Sequence, residues 1–270
     1  MFTRSTAQEH PDRAAIIMAS TGQVITHAEH EAGANRLAHA LRRHGLQKGD
    51  HFALFMENNN KFLEICAAGE RSGLYYTPIN SYLTADELAY IIQNSQSKVL
   101  VVSEAKREVA AAALEQCPNV TLAVMIDAAA DDPLFVDYAS FVDQESSEPI
   151  ADENLGIAMV YSSGTTGRPK GILRPMPDSP PDTPLPLWGF LDNLWKYEDG
   201  MTYLSPAPLY HSAPQAAVGC ALRRGGTVII MENFDPEKYL MLVEKYKITH
   251  SKLVPTMFNR MLKLPEKIQN

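Results

Sequence analysis

Cysteine is scarce: Cys66, Cys117 and Cys220 are the only three, widely spaced and with no Cys-x-x-Cys pair. An odd number at such spacing indicates neither a disulfide framework nor a thiolate zinc site, and reads as buried, reduced thiols. Basic residues are missing altogether between Arg107 and Arg168, and 24 Lys and Arg against 32 Asp and Glu leave a formal charge of −8. A field of that sign disfavours a phosphate-backbone partner, so no nucleic-acid partner is expected. An unbroken apolar run of membrane length is also lacking. Met201 to Leu222 holds no Asp, Glu, Lys or Arg, but Pro206, Pro208, Pro214, His211 and Gln215 interrupt it. It reads as a loop-rich buried segment and not as a transmembrane anchor. The start, Met1 to Arg4 followed by Glu9 and Asp12, lacks the apolar stretch of a secretory signal, and with so little cysteine a cytoplasmic location is expected.

What is present is ordinary for a globular chain. The 270 residues are 45% hydrophobic, 21% charged and 8% aromatic, which excludes collagen, coiled coil and low-complexity chains and leaves room for one or two domains. Thr26 and Glu29 form a capping box, and Ala34, Leu37, Ala38 and Leu41 repeat on one helix face up to about Gly45. A strand is expected over His51–Met56 and a helix over Phe62–Arg71. A second capping box, Thr84 with Glu87, opens a helix in which Leu83 can staple against Leu88; strands are expected over Lys98–Val102 and Leu122–Ile126. Short apolar strands alternating with amphipathic helices predict an α/β fold of mostly parallel sheets flanked by helices.

From Asp127 to Glu153 there are nine acidic residues and no basic one, which reads as a solvated connector. Leu155–Tyr161 is a further buried-strand candidate. Six prolines in the twelve residues Pro175 to Pro186 predict an extended, mobile loop. Beyond it, Thr227–Met231 reads as a strand, Asp235 and Pro236 as the N-cap and first residue of a helix through Tyr246, and Ile248–Val254 as another strand. The expected organisation is a first α/β unit over 1–174, a proline-rich loop over 175–187, and a second unit over 188–270.

The segment Tyr161-Ser162-Ser163-Gly164-Thr165-Thr166-Gly167-Arg168-Pro169-Lys170-Gly171 carries the chemistry. Glycines let several backbone N–H groups converge, Ser162, Ser163, Thr165 and Thr166 add hydroxyl donors, and Lys170 supplies a mobile positive charge for a polyphosphate. It is not a Walker A loop, which needs glycine at Pro169 and a hydroxyl at Gly171, nor a dinucleotide Gly-x-Gly-x-x-Gly.

That string closely resembles the signature loop of the adenylate-forming superfamily, which contains acyl- and aryl-CoA synthetases, firefly-type luciferases and peptide-synthetase adenylation domains. The likeness runs along the chain: Pro11 to Ala15, Gly49-Asp50, Glu57-Asn58 and Tyr76 to Asn80 before the loop, then Ala207-Pro208-Leu209-Tyr210-His211-Ser212, Gly225 to Val228, Phe234 to Pro236 and Leu253 to Thr256. The resemblance implies ATP, Mg2+ and coenzyme A as cofactors and a small-molecule carboxylic acid as substrate. The acid attacks the α-phosphorus of ATP to give an acyl-adenylate, and the thiol then displaces AMP. By the same resemblance Ser162, Ser163, Gly164, Thr165, Thr166, Gly167 and Lys170 hold the phosphates. Lys170, Thr166 and His211 are the expected catalytic residues, Tyr210 and His211 border the acyl pocket, and no metal ligand is assigned. Coenzyme A is favoured over a carrier-protein arm or oxygen because Pro208 to Ser212 looks most like acyl-CoA synthetases; fatty, aryl and steroid-like acids all stay open.

The family's aromatic-Gly-x-Thr-Glu stretch, acidic ribose ligand, hinge and carboxy-terminal lid do not occur before Asn270. The chain is therefore expected to be the amino-terminal part of such a ligase, inactive alone; the alternative is a non-catalytic phosphate-, nucleotide- or acyl-binding module. A chain cut inside a domain exposes apolar surface and can form a homo-oligomer for that reason alone.

Overall fold

The computed structural model describes residues 1–162, 168–183 and 185–269, the side chain of Gln269 excepted. Along the chain run α1 (Arg4–Glu9), β1 (Ala14–Met18), β2 (Val24–Thr26), α2 (His27–Arg43), β3 (His51–Phe55), α3 (Phe62–Arg71), β4 (Tyr75–Ile79), α4 (Ala85–Asn94), β5 (Val99–Ser103), α5 (Arg107–Leu114), β6 (Leu122–Ile126), β7 (Val136–Asp137) and α6 (Tyr138–Val142). They are followed by β8 (Ile157–Ala158), β9 (Val160–Ser162), β10 (Lys170–Ile172), α7 (Pro186–Trp195), β11 (Thr202–Ser205), α8 (Ser212–Arg223), β12 (Thr227–Ile230), α9 (Pro236–Tyr246), β13 (His250–Ser251), α10 (Pro255–Met261) and α11 (Glu266–Gln269).

Among the described residues the strands form a six-stranded sheet in the order β7-β6-β5-β3-β4-β8, a five-stranded sheet in the order β13-β11-β12-β1-β2, and the hairpin β9-β10. The first is parallel throughout. In the second only the β1-β2 pair is antiparallel. This is the expected α/β class. Strand alternation explains the layering: Phe52 and Leu54 of β3 join a central core, while Ala53 and Phe55 join an outer core under α4 and α5. On β12, Val228 and Ile230 face the same central core, and Ile229 faces a third cluster under α9. Strands buried on both faces read as unbroken apolar runs for this reason.

Helix α3 lies between the layers with every residue buried. It fits because it is small there; a Cβ on Gly69 would stand 2.8 Å from the Phe52 ring and 2.9 Å from Tyr76. Its last residue, Arg71, is 1% exposed and bonds both oxygens of Glu31 on α2, at 2.7 and 2.9 Å.

The cap signals hold. Glu29 N–H donates to Thr26 Oγ1 at 3.1 Å, the Glu87 carboxylate accepts from Thr84 N–H and O–H, and Lys238 N–H donates to Asp235. The three cysteines are buried and free. Four readings change. The stretch 127–153 is not a plain solvated connector, because Phe135, Tyr138, Phe141 and Ile150 are buried and its carboxylates pair with Arg43, Arg107, Arg42 and Arg4. Leu155–Tyr161 is not one strand: the chain leaves the six-stranded sheet at Met159, so β8 pairs with β4 and β9 with β10. Met201–Leu222 is less loop-rich than expected, since α8 takes up half of it with Pro214 tolerated in the first turn. The strand expected over 248–254 shortens to His250–Ser251 at a sheet edge.

The proline-rich stretch has no helix or strand among its described residues before α7, as expected, but it is tied down. Ser179 O accepts from Leu155 N–H at 2.8 Å, and Arg174 O from the Tyr75 hydroxyl at 2.8 Å. The five-stranded sheet draws strands from both sides of that stretch, because β1 and β2 join β11 to β13. Among the described residues no helix is long and apolar enough to cross a membrane.

Candidate active site

In the β9-β10 hairpin Lys170 is the register partner of Ser162, Gly171 of Tyr161 and Ile172 of Val160. Directly opposed residues of antiparallel strands point to one face, as do residues two apart on one strand. Val160, Ser162, Lys170 and Ile172 therefore share a face, and Tyr161 and Gly171 share the other.

The Tyr161 face is moored to α4. Tyr161 donates its hydroxyl to Asn94 Oδ1 at 2.6 Å, and Tyr90 donates to the Pro169 carbonyl at 3.2 Å. Tyr90 and Asn94 are four residues apart, so a single stripe of α4 holds both strands. Burial, with Tyr90 alongside, raises the Tyr161 phenol above its ordinary pKa and keeps it a donor. A Cβ on Gly171 would lie 2.5 Å from Met159 Cε and 2.9 Å from Tyr161 Cζ, so a larger residue there would have to push both side chains aside. Arg168 stacks 5.2 Å from the centroid of the Tyr90 ring.

On the other face Ser162 and Lys170 are exposed. Among the described residues nothing pairs with the Lys170 ammonium or the Ser162 hydroxyl. A free ammonium directly opposite a free hydroxyl suits phosphate oxygens. Ser163, Gly164, Thr165, Thr166 and Gly167 lie outside the described residues. No group of three or more His, Cys, Asp or Glu gathers as a metal site among the described residues.

Val160, on the same face as Ser162, lines a cavity of about 480 Å3. One wall is α7, through Trp188, Leu191 and Trp195 at i, i+3 and i+7. The opposite wall is the Ser212, Gln215, Ala216, Gly219 face of α8, whose small residues leave the space open. Tyr76 of β4 and Ile157 and Ala158 of β8 close it. Arg223 fixes the outer wall: its guanidinium lies 3.9 Å from the Trp188 ring centroid, donates to Pro181 O at 2.8 Å and pairs with buried Glu70.

Tyr210 and His211 stand beside this cavity without lining it. Their rings are 4.4 Å apart and tilted by 52°, and His211 is the residue that caps α8. Tyr210 is half-buried against the central core. Buried Asn58 sets their approach by accepting from Leu209 N–H at 2.8 Å and donating to Ala207 O at 3.1 Å and Met231 O at 2.9 Å. Burial of part of the His211 ring, which stays more than a third exposed, lowers its pKa. The structure thus pairs Ser162 with Lys170 and Tyr210 with His211, with no hydrogen bond or ion pair between the two pairs among the described residues. Sequence reasoning missed the mooring residues Tyr90 and Asn94, whose i, i+4 spacing was a faint signal, and Arg223, Gln215 and the α7 wall, for which there was none.

A sequence model for the AMP-binding enzymes matches residues 3–270. The chain is 32% identical over 265 residues to the long-chain-fatty-acid–CoA ligase FadD13 of Mycobacterium tuberculosis, covering 97% of this chain and 51% of the relative. It is 28% identical over 257 residues to 4-coumarate–CoA ligase 1 of Petroselinum crispum, covering 94% and 46%. The crystal structure of the amino-terminal domain of FACL13 from Mycobacterium tuberculosis superposes with a TM-score of 0.81 at 28% identity, covering 98% of this chain and 64% of that one. The chain spans about half the length of the curated relatives it matches. With its parallel sheets and a family match over nearly every residue, the chain belongs to the AMP-binding enzyme family.

Proposed function

We propose that this chain carries the phosphate- and acid-binding part of an ATP-dependent acid–thiol ligase, which activates a lipophilic carboxylic acid as its acyl-adenylate and passes it to coenzyme A. One observation carries the reading: Val160, Ser162 and Lys170 share a face of the hairpin, and Val160 also lines the cavity. Two residues of strand span roughly 7 Å, so an acid seated in the cavity presents its carboxylate beside the hydroxyl and ammonium that would hold a phosphate chain. Those donors, with the loop Ser163 to Gly167 and Mg2+ accompanying the nucleotide, would offset charge building on the departing pyrophosphate without reorganising. Indole, leucine and proline walls support an apolar acid. His211 and Tyr210, at the capped end of α8, stand on the substrate side in this reading, with Thr166 and Lys170 on the nucleotide side. Three buried free thiols support a reducing, cytoplasmic setting.

Calorimetric titration with pyrophosphate and with ATP tests the nucleotide side. Binding is expected, weakened on the order of tenfold by Lys170→Ala, the value of about one charge-assisted hydrogen bond. No binding, or binding indifferent to Lys170→Ala, overturns the assignment. The 270-residue chain by itself is expected to give only background ATP–pyrophosphate exchange, and exchange at the rate of a full-length relative would exclude both an inactive fragment and a mere binding module.

A further inference from the structure

The cavity is apolar on most of its surface, but two uncharged polar side chains reach it from deep positions. Tyr76 is 6% exposed and Gln215 is 5% exposed, and both line the cavity. Among the described residues the Tyr76 hydroxyl makes no hydrogen bond. Among the described residues the Gln215 side chain makes one hydrogen bond, a 3.7 Å donation from Nε2 to the Cys66 thiol, and its Oε1 accepts none. Both line the same cavity, and Cys66, which accepts from Gln215 Nε2, also acts electrostatically on the Tyr76 phenol. Glu70 itself is occupied by Arg223, so it does not serve this pair.

An unsubstituted acyl chain filling this space would strip water from both oxygens and leave them unpaired, at a cost of about 1–3 kcal/mol for each such group. A cavity meant for a plain hydrocarbon has no reason to carry them; pockets use a few placed polar groups to orient a mostly apolar ligand. We infer that the acid bears a hydroxyl group on its apolar body, and that Tyr76 and Gln215 read it: the hydroxyl oxygen accepts from Tyr76 O–H while its proton goes to Gln215 Oε1. Burial, reinforced by Glu70, pushes the Tyr76 phenol well above its ordinary pKa, so it is present as a donor throughout the physiological range. Rejection of an analogue lacking such a hydroxyl is the discrimination that a built hydrogen-bonding site performs well. The inference rests on the reading that this cavity takes the acid.

Trp188 and Trp195 are the only two tryptophans of the chain and both line the cavity, so intrinsic fluorescence reports its occupancy. The 270-residue protein is titrated with dodecanoic acid and with the positional series of monohydroxydodecanoic acids. At least one hydroxy isomer is expected to bind on the order of tenfold more tightly than the parent acid. In Tyr76→Phe and in Gln215→Leu that ratio is expected to fall to within about twofold of one. Each variant is compared with itself, so partial loss of folded protein does not move the ratio. Two results overturn the inference and leave the acid pocket standing: no isomer outbinds dodecanoate, or the preference survives both substitutions. If no acid perturbs the tryptophans, the pocket assignment falls and the inference with it.

Discussion

Arg71 shows how much of the interior hangs on single side chains. Its guanidinium is buried beside Glu31 and Asn35, and its pairing with Glu31 holds that carboxylate down at about 2 against the cost of burying it. Removing the cation while keeping the volume strands the anion, so Arg71→Met is expected to lower unfolding free energy by about 3–5 kcal/mol in urea titrations. A loss under about 1 kcal/mol would mean that water reaches Glu31 in the folded state. The candidate catalytic residues depend on their neighbours in the same way. Lys170 stood out in the sequence as a candidate phosphate ligand because Gly, Ser, Thr and Lys crowd one stretch. Its orientation was not, since that depends on Ser162 standing opposite across a hairpin whose second strand begins after the loop. Tyr76 was legible only as part of a framework string; that it lines a cavity follows from β4 lying beside β8 and opposite α8.

Elements came through the sequence where their signals are local. Helices α2, α4 and α9 start at their caps, and α3 and α9 span the expected residues, because an N-cap and a helical repeat are decided within a turn or two. Strands β3, β5, β6 and β12 were visible as β-branched or aromatic runs, correct to within a residue at each end. Where packing decides, the sequence was quiet. The apolar run 155–161 breaks because Met159 turns inward and the chain crosses to a second partner, which periodicity does not record. The aromatics hidden in the acidic stretch dock because Tyr138 donates to buried Glu64 at 2.6 Å and Phe141 packs into the central core. At this scale the hairpin's mooring is testable. Asn94→Ala removes the partner of the Tyr161 hydroxyl and is expected to weaken pyrophosphate binding several-fold with little change in melting temperature, as read by calorimetry and thermal denaturation. Unchanged affinity would show that the hairpin holds its shape without α4.

For the molecule as a whole, two buried imidazoles set an acid limit. Burial lowers His27 to about 4, aided by Arg13, and lowers His30 to about 3, aided by Arg71 and opposed by Glu31. In the unfolded chain both protonate near the ordinary imidazole value of 6.5. Below that pH the unfolded state binds more protons than the folded one, so stability falls as pH drops from about 6.5 towards 4 and 3. Glu31 and Glu70, each held at about 2, add stability that is complete above their ordinary 4.5 and is lost as pH falls towards 2. Urea midpoints should therefore decline from pH 7.5 to pH 5 before any carboxylate is involved, and His30→Phe should flatten that part of the curve. Equal midpoints at pH 7.5 and pH 5 would rule this account out.

By itself the sequence determined the α/β class, the positions of the capped helices and buried strands, and the family, since all of these are written in residue types at short spacing. The tertiary structure decided which strands are neighbours, so that Ile16 from near the start pairs with Val228. It also decided that a mostly apolar cavity opens between α7 and α8 beside the face carrying Ser162 and Lys170, and that Tyr76 and Gln215 both line it. Such juxtapositions join residues more than two hundred positions apart through the packing of layers, and no local spacing encodes them.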